Sequence, residues 1–152
     1  MDKKKLLIEQ LESKIKTFSP ATAIINPPTG WIKAVRLTLG ITLQQLANRI
    51  SITKQSVQEM EKREQNGAIS LRSLREAARA LDMELVYGFV PKDGTLEALI
   101  DRKARELATK IVLRTSNTMK LEDQENSEER IRMAIEDRTY MLKQEMPKVL
   151  WD

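Results

Sequence analysis

The sequence predicts a mainly helical, all-α protein with one short strand, on three observations. Apolar residues recur at spacings of three and four along most of the 152 residues. Ser or Thr stands directly before three of these runs, where a helix takes its N-terminal cap. Only Glu84–Val90 has the composition and boundaries of a strand.

Leu7 or Ile8, Leu11, Ile15 and Phe18 lie at helical spacing, so Lys3–Lys16 reads as an amphipathic helix, followed by loop signals from Ser19-Pro20 to Pro27-Pro28-Thr29-Gly30. Four short helices are expected next. Trp31–Leu39 is ended by Gly40, Leu43–Ile50 is capped by Thr42, Lys54–Arg63 is capped by Thr53, and a fourth begins after Ser70 with Leu71, Leu74, Ala78 and Leu81 on one face. Leu85, Val86, Tyr87 and Phe89 belong to the strand-like stretch before Pro91. A single strand needs a partner and the chain offers no second one, so pairing with the same strand of another copy is expected, giving a homodimer. Beyond it, Leu96, Ile100, Ala104, Leu107 and Ile111 mark one helix. Asn126 with Glu129 as a capping box, then Ile131, Ile135, Leu142 and Met146, mark another, stopped by Pro147.

This divides the chain into residues 1–29, an N-terminal helix and linker tethered to the second segment; residues 30–91, a four-helix segment with a terminal strand; and residues 92–152, a C-terminal helical region for dimerisation or partner binding. Charge follows the division. The formal net charge is +4, with 26 Lys/Arg against 22 Asp/Glu; residues 30–91 hold nine against six, and residues 92–152 hold twelve against thirteen. A basic surplus is compatible with nucleic acid, where each neutralised phosphate releases counterions, and equally with an ordinary basic surface.

Cysteine and histidine are both absent. That excludes disulfides, the usual zinc and haem ligand sets and Cys or Ser–His nucleophiles. Carboxylate chemistry remains open, but the run Glu122, Asp123, Glu125, Glu128 and Glu129 reads as a solvated face beside a helix start, so no metal, cofactor or catalytic residue is expected. No apolar run is long enough to span a bilayer and no signal-peptide core follows Met1, so the expected location is the cytoplasm. Met83, Met133, Met141 and Met146 read as core fillers, Trp31 as a core residue, and Trp151 as either a packed or a docking side chain.

The informative stretch is Leu43–Lys62, LQQLANRISITKQSVQEMEK. Two short helices joined by a tight turn need a small residue at their crossing, a tolerant turn residue and apolar residues inside the second helix; Ala47, Ser51, Ile52, Val57 and Met60 supply them. In this the chain resembles the xenobiotic-response-element, phage-repressor-like helix-turn-helix family over about Gly30–Met83. The resemblance implies a structural ion pair between Arg36 and Glu61, the latter just past the recognition helix, and sequence-specific binding to double-stranded DNA at an inverted-repeat operator. With Val57 and Met60 turned inward, Lys54, Gln55, Gln58 and Glu59 are the candidate base readers: the two Gln suit adenine, Lys suits guanine, and Glu either suits cytosine N4 or repels phosphate and so restricts the register. Thr42, Gln44, Thr53 and Ser56 at helix starts, and Lys62 and Arg63 in the following loop, are candidate phosphate contacts; each is equally readable as a cap or a solvated group. Many relatives have Gln where Leu43 stands, which puts that phosphate contact in doubt.

The whole layout also resembles the family called mobile mystery protein A, through Pro-Pro-Thr-Gly-Trp, Asp101-Arg102-Lys103-Ala104, Met119-Lys120-Leu121-Glu122 and the terminal Leu-Trp-Asp. That resemblance implies a regulator encoded beside a Fic-domain protein on mobile elements; the expected function is an autorepressor of its own operon, with an antitoxin or adaptor that binds the Fic-type partner through the C-terminal helices as the alternative. Thr118 and Glu122 come nearest to the inhibitory motif of Fic antitoxins, but Asp123 follows where Gly or Asn is required, so direct inhibition by a Glu is not implied.

Overall fold

The structure, a computed structural model, describes residues 3–116 and 124–152. Seven α-helices lie among them: α1 (Lys3–Phe18), α2 (Trp31–Thr38), α3 (Leu43–Ile50), α4 (Lys54–Asn66), α5 (Leu71–Ala80), α6 (Leu96–Ser116) and α7 (Gln124–Glu145), with 3-10 turns at Ser19–Ala23 and Lys148–Trp151. The Thr118…Glu122 segment and the acidic side chains Glu122, Asp123 and Glu125 lie outside the described residues and side chains, and the expected helix start at Asn126 is corrected, because α7 already begins at Gln124. The fold is all-α.

The chain forms two compact units, Ala21–Gly88 and Met1–Pro20 with Phe89–Asp152. In the first, α2 to α5 enclose Ile32, Leu46, Ala47, Val57, Ala77 and Leu81, with Val35, Ile41, Ile50, Ile52, Met60, Ile69 and Leu74 packed around them. Leu46 and Val57 are fully buried, and burying side chains of this size is worth about 1.5–3 kcal/mol each. The short helices are defined chiefly by their ends. Thr42 accepts from the Gln45 N–H at 3.0 Å while the Gln45 side chain accepts from the Thr42 N–H at 2.9 Å, a reciprocal capping box. Thr53 and Ser70 accept from the N–H groups of Ser56 and Ser73 in the same way. At the other end of α5, Arg49 of α3 donates to the Ala80 carbonyl at 2.9 Å, which fastens the two helices.

In the second unit α6 and α7 pack side by side. Ala104 and Ala108, both fully buried, let the helices approach closely, and Ile100, Leu107, Ile135, Leu142 and Met146 fill the seam, with Leu150 of the terminal 3-10 turn closing it. Helix α1 contributes Ile8 to this core, and its Glu12 carboxylate accepts from the N–H groups of Leu96 at 2.9 Å and Glu97 at 3.3 Å. A carboxylate on the first N–H groups of α6 satisfies donors that the helix itself leaves unpaired.

Three expectations are corrected. The N-terminal helix belongs to the C-terminal unit rather than standing as an appendage of the segment after it, because Ile8 and Glu12 find their partners on α6 and α7. Glu84–Val90, whose expected pairing partner is a second copy, forms no ladder among the described residues of this chain. Trp31 is about half exposed, since its indole N–H reaches the Asn26 side chain at 3.4 Å instead of entering the core. Met83, Met133 and Met141 are exposed, and Met146 alone of those four packs on a core.

Candidate nucleic-acid interface

Helices α3 and α4 meet through a turn of three residues. Ser51 caps α3 in the left-handed conformation, φ 62°, and the Ile52 N–H returns to the Ala47 carbonyl at 3.0 Å. Ala47 and Val57 are buried between the two helices, so a larger side chain at either position would force them apart. The turn sets the start of α4 directly after the end of α3, and Thr42 and Thr53 cap the two helices.

The far end of α4 is held by two carboxylates one turn apart. Glu61, buried, receives the Arg36 guanidinium through Nε at 2.8 Å and a second nitrogen at 3.1 Å, and Arg36 also donates to the Ile41 carbonyl at 3.2 Å. Glu64 accepts from the N–H groups of Trp31 and Ile32, each at 2.9 Å, and so acts as the cap that Gly30 cannot provide. Gly30 has φ +87°, and a Cβ there would stand 2.8 Å from Glu64 Oε1, so the carboxylate has room only because residue 30 is glycine. Together these contacts lock the C-terminal half of α4 to α2, which leaves its N-terminal half to face solvent.

On that half Lys54, Gln55, Gln58 and Glu59 are all exposed, while Val57 and Met60 turn toward the core. The exposed four carry an ammonium, two amides and a carboxylate, the groups that read base edges in a major groove. Glu59 also lies 3.7 Å from Arg63 on the next turn, an exposed pair worth little. Around them, the hydroxyls of Thr42 and Thr53 serve as helix caps, Ser56 lies 2.8 Å from the Thr53 hydroxyl, and the Gln44 amide donates to Asn48. Lys62 and Arg63 are exposed but lie inside α4, which continues to Asn66; the expected loop at these residues is corrected, and Glu61 lies within the helix rather than past its end. The continuation follows from Gly67, which takes the left-handed conformation, φ 81°, and ends the helix there.

Electrostatics favour an anion at the starts of three helices of this unit. The first turns of α3, α4 and α5 hold no acidic residue, so the partial positive charge of three helix starts is not neutralised. Helix α5 adds Arg72, Arg75 and Arg79, all exposed. Sequence reasoning missed Gln45, Glu64 and Arg49. The Thr-x-x-Gln spacing signalled the first; Glu64 could have been found from its position three residues after Glu61, on the same side of α4.

Residues 32–87 match the protein family described as helix-turn-helix. No curated protein and no solved structure matches the chain. No helix among the described residues is long and apolar enough to cross a membrane. The matched segment coincides with the buried turn, the clamped α4 and its exposed N-terminal half, so residues 32–87 form a repressor-like helix-turn-helix domain, the kind of domain found in DNA-binding regulators.

Proposed function

We propose that the chain is a cytoplasmic, homodimeric repressor that binds an inverted-repeat operator in double-stranded DNA and represses its own operon. The observation that carries this reading is the outward display of Lys54, Gln55, Gln58 and Glu59 from a helix whose other end is clamped by Arg36–Glu61. A reader must be rigid to discriminate bases, because each good bidentate contact is worth only about 1–3 kcal/mol. The helix starts at Thr42 and Thr53, with Ser56, Gln44, Lys62 and Arg63, would meet phosphates on either side. A two-fold dimer through Leu85, Val86, Tyr87 and Phe89 doubles the contacts and matches a palindromic site.

The experiment is a mobility shift with the promoter DNA of the chain's own operon. The variant carrying Lys54→Ala and Gln55→Ala should lose specific binding while keeping its helical circular dichroism; unchanged affinity overturns the assignment.

A second reading, an antitoxin or adaptor for a Fic-type protein encoded nearby, is favoured by apolar side chains left exposed on α6 and α7, namely Leu113, Met133, Tyr140 and Met141. Exposed apolar side chains of this kind are the usual material of a partner surface. Co-purification with the neighbouring gene product that is lost in Met133→Glu/Tyr140→Glu supports it, and neutralisation that survives this variant overturns it.

A further inference from the structure

From Met83 through Pro91 the chain runs without turn or bend, and no residue in the stretch has a positive φ. Hydrogen bonding stops on both sides of it. The Met83 N–H is committed to the Ala78 carbonyl at 2.7 Å, and the Pro91 carbonyl to the Gly94 N–H at 3.0 Å. Among the described residues, no backbone group from Glu84 to Val90 has a partner. The free run is therefore bounded by an N–H already in use and by a proline that has none, with Tyr87 at its middle.

The side chains alternate. Leu85 is half-buried, Tyr87 lies against Arg75 of α5, 5.7 Å from ring centroid to guanidinium, with its hydroxyl 3.4 Å from an Arg75 nitrogen, and Phe89 follows on the same side of an extended chain. Val86, 72% exposed, points the other way, as does Gly88.

The geometry points to a second copy of this chain as the occupant of this edge, pairing Glu84–Val90 antiparallel with its own counterpart about a two-fold axis through Tyr87. The inference rests on the homodimer reading above and adds the register. A two-fold at Tyr87 pairs every free residue: Glu84 with Val90, Leu85 with Phe89, Val86 with Gly88, and Tyr87 with itself. One face then becomes a continuous ladder of Leu, Tyr and Phe from both copies, and on the other Val86 lies over a glycine. Moving the axis to Val86 would leave Phe89 and Val90 without an opposed free residue, and moving it to Gly88 would do the same to Glu84 and Leu85. A different protein could pair with one copy's edge, but only a second copy satisfies both edges with one surface.

The chain has no cysteine, so a single introduced thiol reports the register cleanly. Directly opposed residues in an antiparallel pair have Cα atoms about 4.5 or 5.5 Å apart, within the roughly 4.4–6.8 Å that a disulfide accepts. Diagonal neighbours are about 7–8 Å apart and fall outside it. Full-length Tyr87→Cys under mild oxidation should become predominantly covalent dimer, with Val86→Cys far less so and Leu85→Cys monomeric on the same gel. The double variant Leu85→Cys/Phe89→Cys, which keeps Tyr87, should also crosslink, because its thiols oppose each other across the axis. Strongest crosslinking at Val86→Cys, or equal crosslinking everywhere, overturns the register. No crosslinking in a protein that sediments as a dimer overturns this edge as the interface while leaving the homodimer standing; sedimentation of the wild-type chain as a monomer overturns both.

Discussion

Arg36 and Glu61 form a buried, two-pronged ion pair, and it joins the first helix of the DNA-binding unit to the middle of the helix that displays Lys54–Glu59. Both side chains are more than nine-tenths buried. Removing one partner leaves the other charge uncompensated in the interior, which typically costs about 3–5 kcal/mol, whereas replacing both by apolar residues can be close to neutral. Arg36→Ala should therefore lower the denaturation midpoint of this unit steeply. The double variant Arg36→Met/Glu61→Leu should recover most of the loss, as read by urea unfolding followed by circular dichroism.

The Glu64 carboxylate makes a separable contribution. It caps α2 from 33 residues away and leaves the buried pair intact when removed. Glu64→Ala should cost about 1 kcal/mol, the usual worth of a lost cap. Gly30→Ala should cost more, because it adds a strained positive φ to a Cβ standing 2.8 Å from Glu64 Oε1. An equal loss in the two variants would contradict this.

Most of the fold is legible in the sequence because its helices are short and punctuated: Thr42, Thr53, Ser70, Gly40 and Pro147 each mark a boundary that the structure places within a residue or two. The end of α4 is harder to read because its last turn, Glu64-Gln65-Asn66, is polar and carries no apolar period; Gly67 is the better signal. Long-range contacts are beyond reach. Nothing in the spacing of Glu12 or Glu64 says that each caps a helix far away in the chain, and Trp31 looks like core until its indole is seen to reach Asn26. The exposure of the α4 face is legible for a simple reason: once Val57 and Met60 face the core, helical periodicity leaves Lys54, Gln55, Gln58 and Glu59 outside.

Ser51 holds a left-handed conformation, φ 62°, at the tight turn between α3 and α4. For a residue with a Cβ that conformation costs roughly 1–2 kcal/mol, partly offset in glycine by the greater freedom of its unfolded chain. Ser51→Gly should raise stability by up to about 1 kcal/mol without altering operator affinity. A destabilised protein in thermal unfolding would show that the serine side chain has a structural role.

Asp93 gives the C-terminal unit a pH dependence. The Arg102 guanidinium, 2.8 Å away, holds its carboxyl below the usual carboxylate range, first through their hydrogen bond and then through charge. Because the folded value lies below the unfolded one, near 3.9, the stabilisation is complete above that value and is lost as the pH falls through the folded value. Asp93→Asn should remove this part of the acid sensitivity. The wild type and variant should therefore differ in stability near neutrality and converge in the most acidic samples of a pH-dependent unfolding series.

Base-reading and phosphate-positioning residues should separate by salt. Lys62 lies on α4 beyond the exposed Lys54, Gln55, Gln58 and Glu59, and a phosphate contact there would neutralise one charge whatever the sequence. Lys62→Ala should weaken operator and unrelated DNA by similar factors, and reduce the slope of log affinity against log salt by about 1. Gln55 bears no charge, so Gln55→Ala should leave that slope unchanged while costing about 1–3 kcal/mol on the operator alone and relaxing the preference at one base pair. Fluorescence anisotropy at several salt concentrations, with operator and scrambled duplexes, measures both quantities at once. A changed salt slope in Gln55→Ala, or an operator-only effect in Lys62→Ala, would exchange the two roles.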